Sequence, residues 1–154
     1  MGLRRFFKPD RAMIEANWEE LLRLADTCRY IETSLHITHS DALDHNVLVN
    51  GAGQVFVIDW DEMMYGPAER DTWYWLYGER ATPFLREYRK LFPAYHPTPT
   101  LCRFYLLRRY FEDLAGMVEE IDKRPVESAQ EMLDHVTSGW ENWLGRPVRM
   151  ARPR

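Results

Sequence analysis

The most constraining feature of this sequence is a set of three polar residues spaced around a short apolar hairpin pattern. Asp41 and Asn46 lie five residues apart, and Asp59 follows thirteen residues after Asn46, at the end of an apolar run. The β-branched and aromatic segments before Asp59 flank a glycine-bearing stretch, residues 50–54, which is typical of a strand, a turn and a second strand. Because a hairpin folds the chain back on itself, Asn46 and Asp59 are predicted to lie side by side.

Groups of these three types have a joint use in phosphoryl transfer. A carboxylate can orient an attacking hydroxyl and accept its proton, and Asp41 is the candidate for this role. Mg²⁺ prefers hard oxygen ligands and retains several waters, and the Asn46 amide and the Asp59 carboxylate offer two such ligands. The alternative interpretation is that Asp41 and Asn46 cap turns, as both residue types do readily.

The surrounding motifs make a family resemblance specific. Residues 39–49 read H-x-D-x-x-x-x-N followed by three apolar residues, residues 57–61 read V-I-D-W-D, and residues 66–71 read G-P-x-x-x-D. This order resembles the catalytic core of the aminoglycoside phosphotransferase and choline kinase-like family, and the variant is most similar to its spectinomycin-type branch. The resemblance implies an α+β, predominantly helical fold: the C-terminal lobe of a protein-kinase-like fold, with a small β-hairpin that carries the catalytic and metal residues.

The resemblance also implies roles for individual residues. Asp41 is expected to be the catalytic base, and Asn46 and Asp59 are expected to hold Mg²⁺. Asp71 is expected to anchor the catalytic loop from the start of the next helix. His39 is expected to support the same loop structurally, through hydrogen bonds to backbone, rather than to transfer a proton.

Two further carboxylates are candidates for substrate binding. Asp61 follows Asp59 by two residues, so both side chains point the same way on an extended segment, although a surface carboxylate is equally consistent with the pattern. Asp113 lies on a long helix of the kind that binds substrate amines in this family, with an ion pair to Arg109 as the alternative. The chain departs from the family at Ser40, where relatives often carry glycine.

The same resemblance predicts what an intact enzyme would use and what this chain lacks. The cofactor would be Mg²⁺, with ATP or GTP as phosphate donor, and the acceptor would be a small, hydroxyl-bearing molecule such as an aminoglycoside. No glycine-rich strand pair or strand lysine precedes residue 39, so the nucleotide-clamping small lobe is expected to be absent and turnover of the chain alone to be near background. The alternative function is an inactive, truncated or stand-alone binding module, and self-association through the bared surface is expected.

Charge and composition narrow the partners. The net charge is −4, but residues 1–11 carry +3 and residues 146–154 carry +4, so the remaining residues carry −11. An acidic body suits a cationic substrate, although the simpler explanation is ordinary solvated helix faces. The basic ends lack interleaved aromatics and are expected to be solvated tails rather than a nucleic-acid surface. No membrane-spanning run, signal peptide or patterned cysteine pair is present, which predicts a cytoplasmic protein.

Hydrophobic periodicity predicts the order of elements. Helices are expected at residues 10–27, from residue 67 through residues 71–77, and at residues 83–91, 100–121 and 126–144, with a strand at residues 35–38 and a turn at residues 63–67. In domain terms, residues 1–9 form a basic segment, residues 10–144 the kinase-like lobe and residues 145–154 a basic tail. Within the lobe, the catalytic loop covers residues 39–46, the hairpin residues 46–59, and helices follow residue 67.

Overall fold

The structure is a computed structural model that describes residues 11–121 together with residues 140 and 144. The basic segment at residues 1–9, the basic tail at residues 145–154 and most of the helix predicted at residues 126–144 lie outside the described residues. Residues 11–121 form four α-helices, four short strands and three single-turn 3₁₀ helices. The α-helices and strands in chain order are α1 (Arg11–Cys28), β1 (Leu35–Thr38), β2 (Val47–Val49), β3 (Val55–Val57), β4 (Met64–Pro67), α2 (Glu69–Thr72), α3 (Ala81–Leu91) and α4 (Pro99–Ile121).

The hydrophobic core is built around α4. Apolar residues recur along this helix at three- and four-residue spacing, so they lie on one face and are buried together. The helix packs against α1, α2 and the 3₁₀ turn Trp73–Leu76, and Leu85 of α3 belongs to the same buried cluster. The buried residues that α4 contributes are Leu101, Cys102, Leu106, Leu107, Tyr110, Leu114 and Met117. This core lies beside the predicted site and fixes the helix that carries Asp113.

Polar contacts complete the docking of α1 on α4. Arg103 donates from Nε and Nη2 to the two carboxylate oxygens of Glu20, at 2.9 and 2.8 Å, in a bidentate pair. Its Nη1 also donates to the carbonyl oxygen of Leu144 at 3.0 Å. The rings of Trp18 and Phe111 meet edge to face, with centroids 5.0 Å apart. One arginine of α4 therefore ties together two distant parts of the chain.

The predicted hairpin is present as β2 and β3, which pair in antiparallel register with Val47 opposite Val57. Its turn is closed by Asn50, whose side-chain oxygen accepts hydrogen bonds from the backbone N–H groups of Ala52 and Gln54, each at 3.0 Å. Gly53 takes a φ of +76°, a left-handed conformation that glycine adopts without strain. The turn residues thus account for the register.

The prediction of a turn at residues 63–67 is wrong, because four of these five residues form the strand β4. β4 pairs with β1 in antiparallel register, from Leu35 opposite Pro67 to Thr38 opposite Met64. Gly66 and Pro67 disguise this strand in the sequence, since both residue types are depleted in strands and proline is tolerated only at strand ends and edges. The described residues therefore form two two-stranded sheets, where the sequence predicted a single hairpin.

The remaining differences concern element boundaries and the surface. The helix predicted after residue 67 is a single α-turn, Glu69–Thr72, followed by the 3₁₀ turn Trp73–Leu76. Several large apolar side chains of both sheets are exposed, including Val49, Val55, Phe56 and Tyr65. Their exposure agrees with the expectation of exposed apolar surface. Self-association through this surface stays a prediction.

Candidate active site

The loop that carries Asp41 is fastened to the start of α2 by one carboxylate. Asp71 accepts hydrogen bonds from the backbone N–H of His39 through Oδ2 and from the backbone N–H of Ser40 through Oδ1, both at 2.8 Å. Ser40 has a φ of +77°, which is unfavourable for a residue with a Cβ atom. The two bonds from Asp71 therefore stabilise the loop at the residue where its backbone is most strained.

His39 is a buried part of the same support. Its side chain is only 2% exposed, and its ring lies against Trp60, with centroids 4.6 Å apart. Nδ1 accepts a hydrogen bond from the backbone N–H of Asp41 at 3.3 Å, so the proton is assigned to Nε2, which donates to the carbonyl oxygen of Ile58 at 2.7 Å. His39 thus links the catalytic loop to the end of the hairpin.

Asp41 is held by three side chains. Its Oδ2 accepts from the Asn46 amide nitrogen at 2.9 Å and contacts His45 Nε2 at 3.2 Å. Its Oδ1 accepts from Arg109 Nη1 at 2.5 Å. A carboxylate offers about four lone-pair positions, so these three contacts leave about one position on Oδ1 for a further donor.

The hairpin brings the two predicted metal ligands to the same place. The backbone N–H of Ile58 donates to the carbonyl oxygen of Asn46 at 3.0 Å. Ile58 therefore lies opposite Asn46, and Asp59 is the next residue along the chain. Asn46 is 3% exposed, and its amide nitrogen makes both of its hydrogen bonds to Asp41, one to the backbone and one to the carboxylate. The amide oxygen, which is the atom a cation would need, is not used by these bonds.

Asp59 lies among other carboxylates. Its φ is +68°, and its carboxyl group, when it holds a proton, can hydrogen-bond to that of Asp61. This hydrogen bond raises the pKa of Asp59, and the negative charges of Asp61 and Asp41 raise it further. A concentration of negative charge at this point fits the donor set that a hard divalent cation would occupy. Among the residues that the structure describes, no group of three or more His, Cys, Asp or Glu side chains is arranged to hold a metal ion.

A cavity of about 560 Å³ opens at Asp41. It lies between the catalytic loop and α4 and is lined by both acidic and basic side chains. Its lining residues are Asp41, Glu62, Met64, Arg70, Arg108, Arg109, Glu112 and Asp113. The sequence candidate Asp113 is therefore placed at this cavity, whereas Asp61 lies beside Asp59 and outside the lining.

Most charges of the cavity wall are already paired. Arg109 bridges Asp41 and Asp113, donating from Nε to Asp113 Oδ1 at 2.7 Å. Burial opposes the charge of this guanidinium, but the two carboxylates outweigh it and raise the pKa of Arg109. Burial likewise raises the pKa of Asp113, although Arg109 acts in the opposite direction. Arg108 donates to Glu112 at 2.7 Å, one helical turn along.

Two functional-site residues were not identified from the sequence in this role. Arg109 was expected only as a partner of Asp113, and its contact with Asp41 joins residues 68 positions apart. Arg70 lines the cavity and donates from Nε to Ser40 Oγ at 2.8 Å. In the sequence, only Ser40 pointed to Arg70. A serine at a position where relatives often carry glycine suggests that its hydroxyl group has a hydrogen-bonding partner.

The sequence model of a known protein family matches this chain. The family is the phosphotransferase enzyme family, APH, and the match covers residues 3–105. The fold is similar to the crystal structure of spectinomycin phosphotransferase, APH(9)-Ia, in complex with ADP and spectinomycin, with a TM-score of 0.68 and 23% identity over 87% of this chain and 43% of that chain. The AMP-bound complex of the same enzyme gives a TM-score of 0.68 and 22% identity over 85% of this chain and 43% of that chain.

These likenesses establish the fold, and the chain spans less than half the length of the solved proteins. No curated protein matches it in sequence. Within the described residues, no helix is both long and apolar enough to cross a membrane. The predicted fold class and the predicted family are confirmed, and the solved neighbours come from the spectinomycin-type branch that the motifs had suggested. The chain belongs to the phosphotransferase enzyme family.

Proposed function

We propose that this chain supplies the catalytic base, the metal ligands and the acceptor cavity of a small-molecule kinase. The reaction transfers the γ-phosphate of ATP or GTP to a hydroxyl of a small acceptor. The observation that carries the proposal is the position of Asp41, which accepts a hydrogen bond from Asn46 and also lines a cavity of about 560 Å³. Because the chain spans 43% of each solved relative, the proposed reaction is that of the whole enzyme.

Asp41 acts as the base. The Asn46 amide and Arg109 fix the orientation of its carboxylate, and the remaining lone-pair position on Oδ1 accepts the proton of the acceptor hydroxyl. The role of Arg109 in the proposal is to position Asp41 and to prevent its carboxylate from turning away from the cavity.

Asn46 and Asp59 hold Mg²⁺ in this proposal. Two features of the chain support this assignment. The bonds to Asp41 do not use the Asn46 amide oxygen, and the carboxylates of Asp61 and Asp41 lie near Asp59. When bound, the ion neutralises charge on the phosphate oxygens. Two protein ligands suffice, since Mg²⁺ usually keeps several waters and takes further oxygens from substrate phosphates.

The acceptor occupies the cavity between the catalytic loop and α4. The Glu62 carboxylate on its wall, together with the net negative charge of the central residues, favours an acceptor that carries an amine, as an aminoglycoside does. Glu112 and Asp113 already pair with arginines, so Glu62 is the lining carboxylate that the ion pairs of the described residues leave for such an amine. We assign the first contact with an acceptor amine to Glu62.

Calorimetry of Mg²⁺-dependent nucleotide binding tests the metal assignment. The expected result is binding that requires Mg²⁺ and is abolished by Asp59→Ala. Asp26→Ala is the control, because it removes an exposed carboxylate of α1 that is not a proposed ligand. Mg²⁺-dependent binding that survives Asp59→Ala unchanged would rule out the assignment.

Turnover tests the base. In a preparation that transfers phosphate, Asp41→Asn is expected to lower the rate by about 10²–10⁴-fold, the range for loss of a general base. Asp44→Asn is the control, since Asp44 is an exposed carboxylate of the same loop, with 63% of its side chain accessible. Retention of most activity by Asp41→Asn would exclude the proposed mechanism.

A further inference from the structure

Arg70 is a buried cation on the wall of the cavity that contains Asp41. Its side chain belongs to a residue that is 7% exposed, and arginine stays charged at any physiological pH. The other two arginines of this wall are neutralised by carboxylates, Arg108 by Glu112 and Arg109 by Asp41 and Asp113. Among the ion pairs of residues 11–121, none includes Arg70. A buried guanidinium without a counter-ion is costly, so its retention calls for an explanation.

The surroundings of Arg70 hold it in one position. Ser40 Oγ accepts from its Nε at 2.8 Å, and its guanidinium carbon lies 5.7 Å from the centroid of the Tyr105 ring, within the range of a cation–π contact. Gly66 leaves room for the stem, because a Cβ atom at this residue would lie 3.1 Å from Arg70 Cδ. These contacts use neutral groups only, so they orient the charge without cancelling it.

Ser40 makes the arrangement specific. Its φ of +77° favours glycine, and serine is unfavourable there. The hydroxyl group of Ser40 bonds to Arg70, which glycine could not do. A strained residue next to the proposed base therefore serves to position an arginine in the same cavity, and strain of this kind is commonly found at functional sites.

We propose that Arg70 binds an oxyanion in the acceptor cavity, and this inference rests on the proposed phosphotransferase function. A guanidinium matches carboxylate and phosphate groups through paired N–H donors. The metal ligands Asn46 and Asp59 do not line this cavity, so the oxyanion lies on the acceptor side of Asp41. It is either an acid group of the acceptor itself or the phosphate that has just been transferred.

The inference narrows the acceptor class. An acceptor that carries only amines would leave Arg70 without a counter-ion. One that carries a hydroxyl, an amine and an acid group would find Asp41, Glu62 and Arg70 as complementary groups in one cavity. Hydroxylated amino acids are the simplest molecules of this kind, and serine is therefore the probe for the acceptor arm of the test.

The test measures binding to the full chain without nucleotide, by calorimetry or by ligand-observed NMR, for three probes. Inorganic phosphate represents the transferred group, serine represents an acceptor with an acid group, and ethanolamine is serine without its carboxylate. Arg70→Gln is expected to weaken the binding of phosphate, of serine or of both by about 10- to 100-fold, as for loss of hydrogen bonds from a charged donor. Ethanolamine binding is expected to be unaffected.

Matched variants separate charge from position. Arg86→Gln removes an exposed arginine of α3 that has its own carboxylate and does not line the cavity, and we expect a change of no more than about threefold. Ser40→Gly removes the hydroxyl at a backbone position that suits glycine, so the chain should fold while oxyanion affinity falls. If Arg70→Gln fails to fold, Ser40→Gly and Arg70→Lys carry the test.

The outcomes distinguish the sources and the two proposals. Serine binding that depends on Arg70 assigns the oxyanion to the acceptor, and phosphate binding alone that depends on Arg70 assigns it to the transferred group. Binding of both probes that is unchanged in all Arg70 and Ser40 variants, or absent in the wild type, would overturn the inference. Loss of Mg²⁺-nucleotide binding with Arg70-dependent oxyanion binding intact would count against the phosphotransferase proposal alone.

Discussion

Asp71 offers the sharpest test of how the catalytic loop is held. Its two oxygens accept from the consecutive N–H groups of His39 and Ser40, each at 2.8 Å. Hydrogen bonds to a charged group contribute about 1.5–3 kcal/mol each, and because Asp71 is half-buried we take the lower end. Asp71→Ala removes both acceptors and is expected to lower the free energy of unfolding by about 3 kcal/mol. Asp71→Asn keeps one acceptor and is expected to cost about half as much.

Urea unfolding followed by circular dichroism measures these losses, provided that the slope of the transition is the same in all variants. Amide hydrogen exchange adds a local measurement, since the His39 and Ser40 amides should exchange faster in Asp71→Ala than expected from the global loss. Glu87→Ala is the control: Glu87 is an exposed carboxylate whose ion pairs with Arg86 and Lys90 are screened by solvent, so its loss should leave the free energy of unfolding nearly unchanged. A loss below about 1 kcal/mol in Asp71→Ala, with unchanged protection of both amides, would refute the anchoring argument.

Three further predictions concern the core, the helix contact and the hairpin turn. Leu106→Ala, at a fully buried residue of α4, should cost about 2–5 kcal/mol in urea unfolding, and a smaller loss would show that the core repacks. The hydrogen bond from Arg103 lowers the pKa of Glu20, so the stability this pair contributes is present above the ordinary carboxyl value of 4.5 and is lost as pH falls through the folded value. Glu20→Gln should therefore cost about 0.5–1 kcal/mol at pH 7, discounted for partial exposure, and a penalty that persists in acid would contradict this origin. Gly53→Ala should cost about 1 kcal/mol because of its φ of +76°, whereas Gly51→Ala should not, and equal effects on thermal unfolding would exclude backbone strain as the cause.

The sequence predicted those parts of the fold that local patterns determine. The hairpin follows from β-branched runs around an asparagine–glycine turn, and α1, α3 and α4 follow from helical periodicity, so the predicted bounds differ from the observed ones by one or two residues. β4 was missed because its stability comes from pairing with β1 about 30 residues away. Its Gly66 and Pro67 carry a turn signal that only the tertiary pairing overrides.

The same limit applies to the candidate site. The spacing of Asp41, Asn46 and Asp59 could be recognised because one loop and one hairpin bring these residues together. The contacts of Arg70 and Arg109 depend on how α2 and α4 dock on the loop, and no spacing in the sequence encodes that docking. The ion pairs of the cavity could therefore be identified only from the structure, whereas the motif could be identified from the sequence alone.

The bonds that hold the strained residues of the site and the contacts that stabilise the core belong to different parts of this molecule. Ser40 and Asp59 are the two non-glycine residues of the described part with positive φ, and each such conformation costs about 1–2 kcal/mol. The offsetting bonds come from Asp71 and from the His39 contact with Ile58, and none of them involves the buried face of α4. A core substitution should therefore lower global stability while the loop keeps its geometry, and loss of Asp71 should release the loop while the core stays packed. Comparison of local amide exchange with global unfolding separates the two cases, because a loop held only by the core would lose protection equally in both.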